Sequence, residues 1–116
     1  MRVISQDGTI DVPYDYFSLS LASGKYKDVE VAYIYCHNLS SPNGTKLAEY
    51  STKAKAIKAM EMLREQYGKL EVMKVLASGT AEYMEKALAT DEMIKHYNTY
   101  CDMNVFQFPQ DDEIEV

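Results

Sequence analysis

The sequence has no tryptophan, two arginines (Arg2 and Arg64) and two cysteines among its 116 residues. Cys36 and Cys101 belong to no CxxC pair, so we predict free thiols and no structural zinc site. Long apolar runs are also missing, and no stretch could cross a bilayer. Because no hydrophobic leader follows Met1, we expect a cytoplasmic protein without membrane contact.

A basic stripe is absent as well. The net charge is −6, and Asp111, Asp112, Glu113 and Glu115 supply four of these charges, which leaves −2 for residues 1–110. A nucleic-acid backbone binder needs clustered Lys and Arg, so we predict no DNA or RNA partner. We expect the acidic segment 111–116 to be a disordered tail behind a single domain spanning 1–110.

Signatures of catalysis are missing too. The five glycines are scattered and form no phosphate-binding loop, and no GxSxG or HExxH motif occurs. His37 follows Cys36, so in a strand the two side chains point to opposite faces. His96, Tyr100 and Cys101 could share one side of a helix, yet no orienting acid or oxyanion donor accompanies them. The sequence predicts no enzyme, no cofactor and no metal.

The first half of the chain has strand signals. Asp7-Gly8 predicts a tight N-terminal hairpin, with a two-residue type I′ turn, that ends at Pro13. Alternation over 16–21 predicts a strand that Ser23-Gly24-Lys25 breaks. Residues 29–36, VEVAYIYC, are apolar on both sides, which indicates a central strand. A loop is expected over 40–45, followed by a short extended stretch.

The second half has helix signals. Ser51 can cap a helix over about 52–67, and Gly68 is the expected stop. The packing stripe of that helix comprises Ala56, Met60, Leu63 and Tyr67, widened by Ile57 and Ala59. Residues 69–77 suit a strand or a helix equally well. C-terminal helices are predicted over about 81–101, and a last strand over 105–108. We therefore expect an α+β fold, with one small antiparallel sheet of four to five strands and the 52–67 helix packed on it.

An aromatic surface is the candidate binding site. It comprises Tyr83, Tyr97 and Tyr100 in the helical region and Phe106 and Phe108 on the last strand. Aromatic residues at such spacing suit an ordinary core or dimer contact. They equally suit stacking of a base between rings, flanked by the cations Lys86 or Lys95. Self-association would cover this region, so we expect a homo-oligomer.

Three segments resemble a set of small proteins encoded by phages and prophages of low-GC Gram-positive bacteria. They are MRVISQDGTIDVPY at the start, AEYSTKAKAIKAMEMLREQYG over 48–68, and VFQFPQDDEIEV over 105–116. The layout, a small β-core holding one helix and followed by more helices, is similar to the Thoeris anti-defence sponge proteins. Those proteins sequester cyclic nucleotide signals without cleaving them, in pockets between protomers.

The resemblance implies a phage protein in the host cytoplasm that sequesters a cyclic nucleotide immune signal. Arg64, Lys86 or Lys95 would then reach a phosphate, and Tyr83, Tyr97 and Tyr100 would sandwich a base. The alternative is a protein-binding inhibitor of a host defence nuclease, of the anti-CRISPR kind, that acts through its acidic surface.

Overall fold

The computed structural model describes residues 1–38, 40–86, 99 and 101–116, and it confirms an α+β fold. The strands of this part are β1 (Arg2–Ile4), β2 (Asp11–Pro13), β3 (Ser18–Tyr26), β4 (Val29–Asn38), β5 (Ser41–Tyr50) and β6 (Val105–Gln107). The long helix α1 spans Lys53–Lys86, and short 3₁₀ turns lie at Tyr14–Tyr16 and Asp111–Glu113.

The described strands form two three-stranded sheets instead of the single sheet we expected. The first has the order β2-β1-β6, with β1 antiparallel to β2 and parallel to β6. The second is the antiparallel meander β3-β4-β5, in which β4 is central as predicted. The chain passes from the first sheet to the second at the 3₁₀ turn Tyr14–Tyr16, which follows Pro13 and separates β2 from β3.

The hairpin turns differ in detail from the prediction. The Asp7-Gly8 hairpin is present, but residues 5–10 form its loop, and of its two turn residues only Gly8 has a positive φ, of 78°. A two-residue turn with both φ angles positive occurs instead at Lys27 and Asp28, with φ of 51° and 64°. That geometry matches the right-handed twist of β3 and β4.

Two stretches predicted to interrupt the sheet are part of it. β3 continues through Ser23-Gly24-Lys25 to Tyr26. The prediction of a loop over 40–45 is wrong, since β5 begins at Ser41. Gly44 adopts a φ of 80°, and the β4–β5 pairing changes register at two places, which lets this turn-rich sequence stay paired.

Helix α1 does not stop at Gly68, contrary to the sequence-based prediction. The ambiguous segment 69–77 is helical, and so are residues 81–86 of the predicted C-terminal helices. A glycine inside a helix costs only about 1 kcal/mol relative to alanine, so it weakens a helix without ending it. Of the remainder, 99 and 101–103 are helical, whereas 87–98 and 100 lie outside the described residues.

The core lies between α1 and the two sheets. Ala32, Ile34 and Cys36 on one face of β4 are buried together with Ala56 and Leu63 of the helix. The predicted stripe is thus largely correct, and Ala59 belongs to it as predicted. Ile57 does not: it is 41% exposed, because it is displaced by about 100° around the helix from Ala56.

The acidic end has a defined place in the structure, in contrast to the disordered tail that we expected. Ile114 is only 5% exposed and belongs to the core cluster. Asp111 binds the start of α1 through Ser51 and Lys55. Burial of the Ile114 side chain and the hydrogen bonds that the Asp111 carboxylate accepts offset the entropy cost of ordering this segment.

Candidate functional site

The structure does not gather the predicted ligand residues into one site. Arg64, Tyr83 and Lys86 lie on α1, although the side chains of the latter two are outside the described part. At about 1.5 Å per residue, Arg64 and Tyr83 are about 28 Å apart along the helix axis, too far to share a pocket within one chain. Lys95, Tyr97 and Tyr100 lie outside the described residues.

The two phenylalanines of the last strand are core residues. Phe106 and Phe108 are buried, and their rings meet edge to face with centroids 5.4 Å apart. The packing interpretation therefore holds for both, and neither can stack a ligand.

Arg64 lies on a cleft of about 350 Å³, which we call the α1 cleft. The cleft is bounded by the first 3₁₀ turn, the start of β3 and one side of α1. Its lining residues are Tyr14, Asp15, Phe17, Leu19, Met60, Leu63 and Arg64. Aromatic, apolar, anionic and cationic groups thus meet at one place.

Tyr14, which lines the α1 cleft, is paired with Tyr67 of α1. The rings of Tyr14 and Tyr67 are tilted by 48°, with centroids 4.7 Å apart. The hydroxyl of Tyr67 donates to the Asp15 carboxylate at 3.4 Å. The negative charge of Glu71, then desolvation and the charge of Asp15, raise the pKa of Tyr67, so this phenol stays protonated and remains a donor.

Arg64 is an exposed residue of the cleft lining. Within the described ranges it has neither an ion pair nor a hydrogen bond to another side chain. Arg2 is engaged instead: its Nε donates to both carboxylate oxygens of Asp11 at 2.9 and 3.0 Å, which raises the Arg2 pKa. Of the two arginines, Arg64 is therefore the one that no described side chain pairs with.

A second hollow, of about 340 Å³, lies on the face of the β3-β4-β5 sheet that points away from the core. Its lining residues are Ala22, Ser23, Gly24, Lys25, Tyr26, Val31 and Tyr33. The ammonium of Lys46 lies 5.4 Å from the Tyr33 ring centroid, within reach of a cation–π interaction. This hollow has no carboxylate in its lining.

The cysteine and histidine of β4 do not form a reactive pair. Cys36 is buried in the core, and desolvation raises the pKa of its thiol. His37 is the next residue of the strand and points to the opposite face. Among the residues that the structure describes, no cluster of three His, Cys, Asp or Glu side chains could hold a metal ion. None of the described helices combines the length and apolar character needed to span a bilayer.

Sequence reasoning missed Tyr14, Asp15 and Phe17 as site residues. They follow Pro13, where a strand was expected to end, and they turn toward a helix that begins at Lys53. Alternating aromatic and acidic residues after a proline indicate a turn. The local sequence does not indicate which face of a helix packs against that turn.

Comparison with family models, with curated proteins and with solved structures finds no match to this chain.

Proposed function

We propose that the chain binds a small molecule carrying both an aromatic ring and a phosphate in the α1 cleft, and that it thereby sequesters a cyclic nucleotide signal without cleaving it. The observation that carries this proposal is that Arg64, unpaired within the described ranges, lines one cleft together with Tyr14 and Phe17. On this basis the protein is a phage-encoded anti-defence protein, in line with its sequence resemblance.

The lining of the cleft suits the parts of a nucleotide. A guanidinium donates two parallel hydrogen bonds to a phosphate, and aromatic faces stack on a base. The Asp15 carboxylate would repel a second phosphate, yet it accepts hydrogen bonds from a ribose hydroxyl or an exocyclic amine. This combination favours a ligand with one phosphate near Arg64 and a neutral donor near Asp15.

The size of the cleft sets a limit on what one chain can hold. About 350 Å³ is at the small end of the range for small-molecule pockets. A cyclic nucleotide with two bases therefore needs a further wall. Tyr83, Lys86, Lys95, Tyr97 and Tyr100 keep their proposed role in such a wall, supplied by another protomer, since Tyr83 is distant from Arg64 along α1.

Calorimetric titration with a panel of cyclic nucleotides tests the proposal. We expect heat of binding for one of them, and a loss of about ten- to a hundred-fold in affinity in Arg64→Ala, because a charged hydrogen-bonded pair is removed. Lys58→Ala, which removes an exposed positive charge from the same helix outside the cleft, is the matched control and should bind normally. Absence of heat with every nucleotide would contradict the proposal.

The fate of the ligand separates sequestration from catalysis. A sponge releases its ligand unchanged, so chromatography after heat denaturation of the complex should recover the intact nucleotide. Recovery of a cleaved product would show an enzyme instead.

The exposed acids at the end of the chain favour a second candidate function, binding to a host defence nuclease. Asp112 and Glu115 are exposed and make no ion pair within the described part. A cationic nucleic-acid channel would be attracted to such a patch. Pull-down of a nuclease by the wild type but not by a D112N/E115Q variant would support this candidate.

A further inference from the structure

The two edges of the β3-β4-β5 sheet are protected to different extents. Along β5, the backbone N–H of Gln6 donates to Leu47 O at 2.8 Å, and the Gln6 side chain accepts from the Glu49 N–H at 3.0 Å. Along the outer edge of β3, no backbone hydrogen bond to another described segment is present. Within the described ranges β3 is therefore the open edge of this sheet.

The hairpin geometry fixes which residues of β3 are available for pairing. Tyr26 and Val29 flank the two-residue turn and so bond each other, as do the alternate pairs along the ladder. Leu21, Ser23 and Lys25 consequently direct their N–H and C=O groups away from β4. The nine-residue strand contains no proline and no bulge, and Lys25 is its one charged residue, so it has little of the usual protection of an edge strand.

A protruding ring and a hollow lie side by side on this edge. Tyr26 is 70% exposed, and the 340 Å³ hollow follows it along Gly24 and Ala22 in front of Tyr33. At Gly24 a Cβ would meet nothing within 4 Å, so the hollow is open above the strand. The β3 edge thus has both an exposed ring and a hollow that could receive the same ring from a second copy.

We propose that a second copy of this chain pairs its β3 antiparallel to this β3, with the two-fold axis at Gly24. Ser23 then lies opposite Lys25 of the partner subunit, and both exchange backbone hydrogen bonds. Ala22 lies opposite Tyr26 of the partner subunit, so each exposed ring enters the hollow of the other copy. The two meanders become one six-stranded sheet.

Charge and symmetry favour a second copy over an unrelated extended peptide. In this register each Lys25 lies opposite Ser23 of the partner subunit, and Glu30, which lies opposite Lys25 on β4 of the same chain, offsets the diagonal approach of the two lysines. A two-fold axis also fills both hollows with the two protruding rings at once, which is the isologous arrangement of most homodimers. A peptide would satisfy the backbone groups but leave the Tyr26 ring exposed.

Sedimentation equilibrium on the full chain tests the pairing. We expect a wild-type dimer at micromolar concentration and at least about a ten-fold weaker dimer in Tyr26→Ala, since truncating a central aromatic anchor costs more than about 1.4 kcal/mol. Tyr16→Ala is the matched control, because Tyr16 is 77% exposed and precedes β3, outside the stretch around Gly24 that pairs in the proposed dimer. A monomeric wild type, or equal effects of the two variants, would overturn the proposal.

A charge pair at Ser23 tests the register and does not depend on folding losses. Ser23→Lys places two lysines opposite each other on both sides of the axis and should weaken the dimer, whereas Ser23→Glu should preserve or strengthen it. Both variants alter the same exposed position, so their monomers should melt alike. Equal weakening by both would refute the pairing. Neither Ser23 nor Tyr26 lines the α1 cleft, so this result is independent of nucleotide binding.

Discussion

The carboxylate of Asp111 accepts a hydrogen bond from the backbone N–H of Ser51 at 2.7 Å, and so joins the end of the chain to the start of helix α1. The same carboxylate accepts from the Ser51 hydroxyl and from the Lys55 ammonium, each at 3.1 Å. The Ser51 N–H is the main reason why the pKa of Asp111 lies below its ordinary value. A negative charge near a helix N-terminus is also favoured by the helix dipole.

Removal of this charge should destabilise the protein. We expect Asp111→Asn to lower the free energy of unfolding by about 1 kcal/mol, a modest figure because the side chain is 40% exposed and partly screened. Asp112→Asn removes the same charge from an exposed neighbour and should change stability by less than about 0.5 kcal/mol. Urea denaturation measures both, and equal losses would show that only net charge matters.

Acid should weaken the fold through Asp7. Its carboxylate accepts from the hydroxyls of Ser5 and Thr9, both at 2.7 Å, and these bonds lower its pKa to about 2. A carboxylate with a depressed pKa contributes stability that is complete above its unfolded value of 3.8 and is lost as the pH falls toward about 2. Asp7→Asn should flatten the pH dependence of stability in that window, with Asp112→Asn as the control. An unchanged slope would contradict the assignment.

The two faces of α1 should respond differently to truncation. Leu63 is 1% exposed in the core, so Leu63→Ala should cost about 2–5 kcal/mol in unfolding free energy. Ile57, assigned to the packing stripe from the sequence, is 41% exposed, and Ile57→Ala should cost less than about 1 kcal/mol. Comparable losses on chemical denaturation would place Ile57 in the core after all.

The sequence predicted correctly those strands and helices that are determined by residues close together in the chain. The β-branched and aromatic run of β4 and the apolar spacing of α1 both lead to the observed structure. The turn at Lys27 and Asp28 was missed because lysine rarely adopts a positive φ and no glycine marks the site. The pairing of Val3 with Phe106 joins distant parts of the chain, and no local pattern specifies it.

The same limit applies to the candidate site. Arg64 could be named as a candidate from the sequence because a guanidinium suits phosphate. The residues facing it across the α1 cleft come from a turn near the N-terminus, and their proximity depends on how that turn packs on α1. A site assembled from separate segments needs the tertiary fold before its members can be named.

Substitution of Gly68 distinguishes a helix that continues through this residue from one that ends there, because the two predict opposite changes in the free energy of unfolding. In the structure α1 passes through Gly68, whose added Cβ would meet nothing within 4 Å. Gly68→Ala should therefore raise the free energy of unfolding by about 0.5–1 kcal/mol through helix propensity. If the helix ended there, the residue would need a left-handed conformation, and alanine would destabilise the protein.

Gly44→Ala is the matched control: its φ is 80° and a Cβ would lie 3.2 Å from the Cys36 carbonyl oxygen, so we expect a loss of about 1–3 kcal/mol. Urea denaturation followed by circular dichroism measures both variants, and a loss of stability in Gly68→Ala would mean that the helix stops where the sequence first suggested.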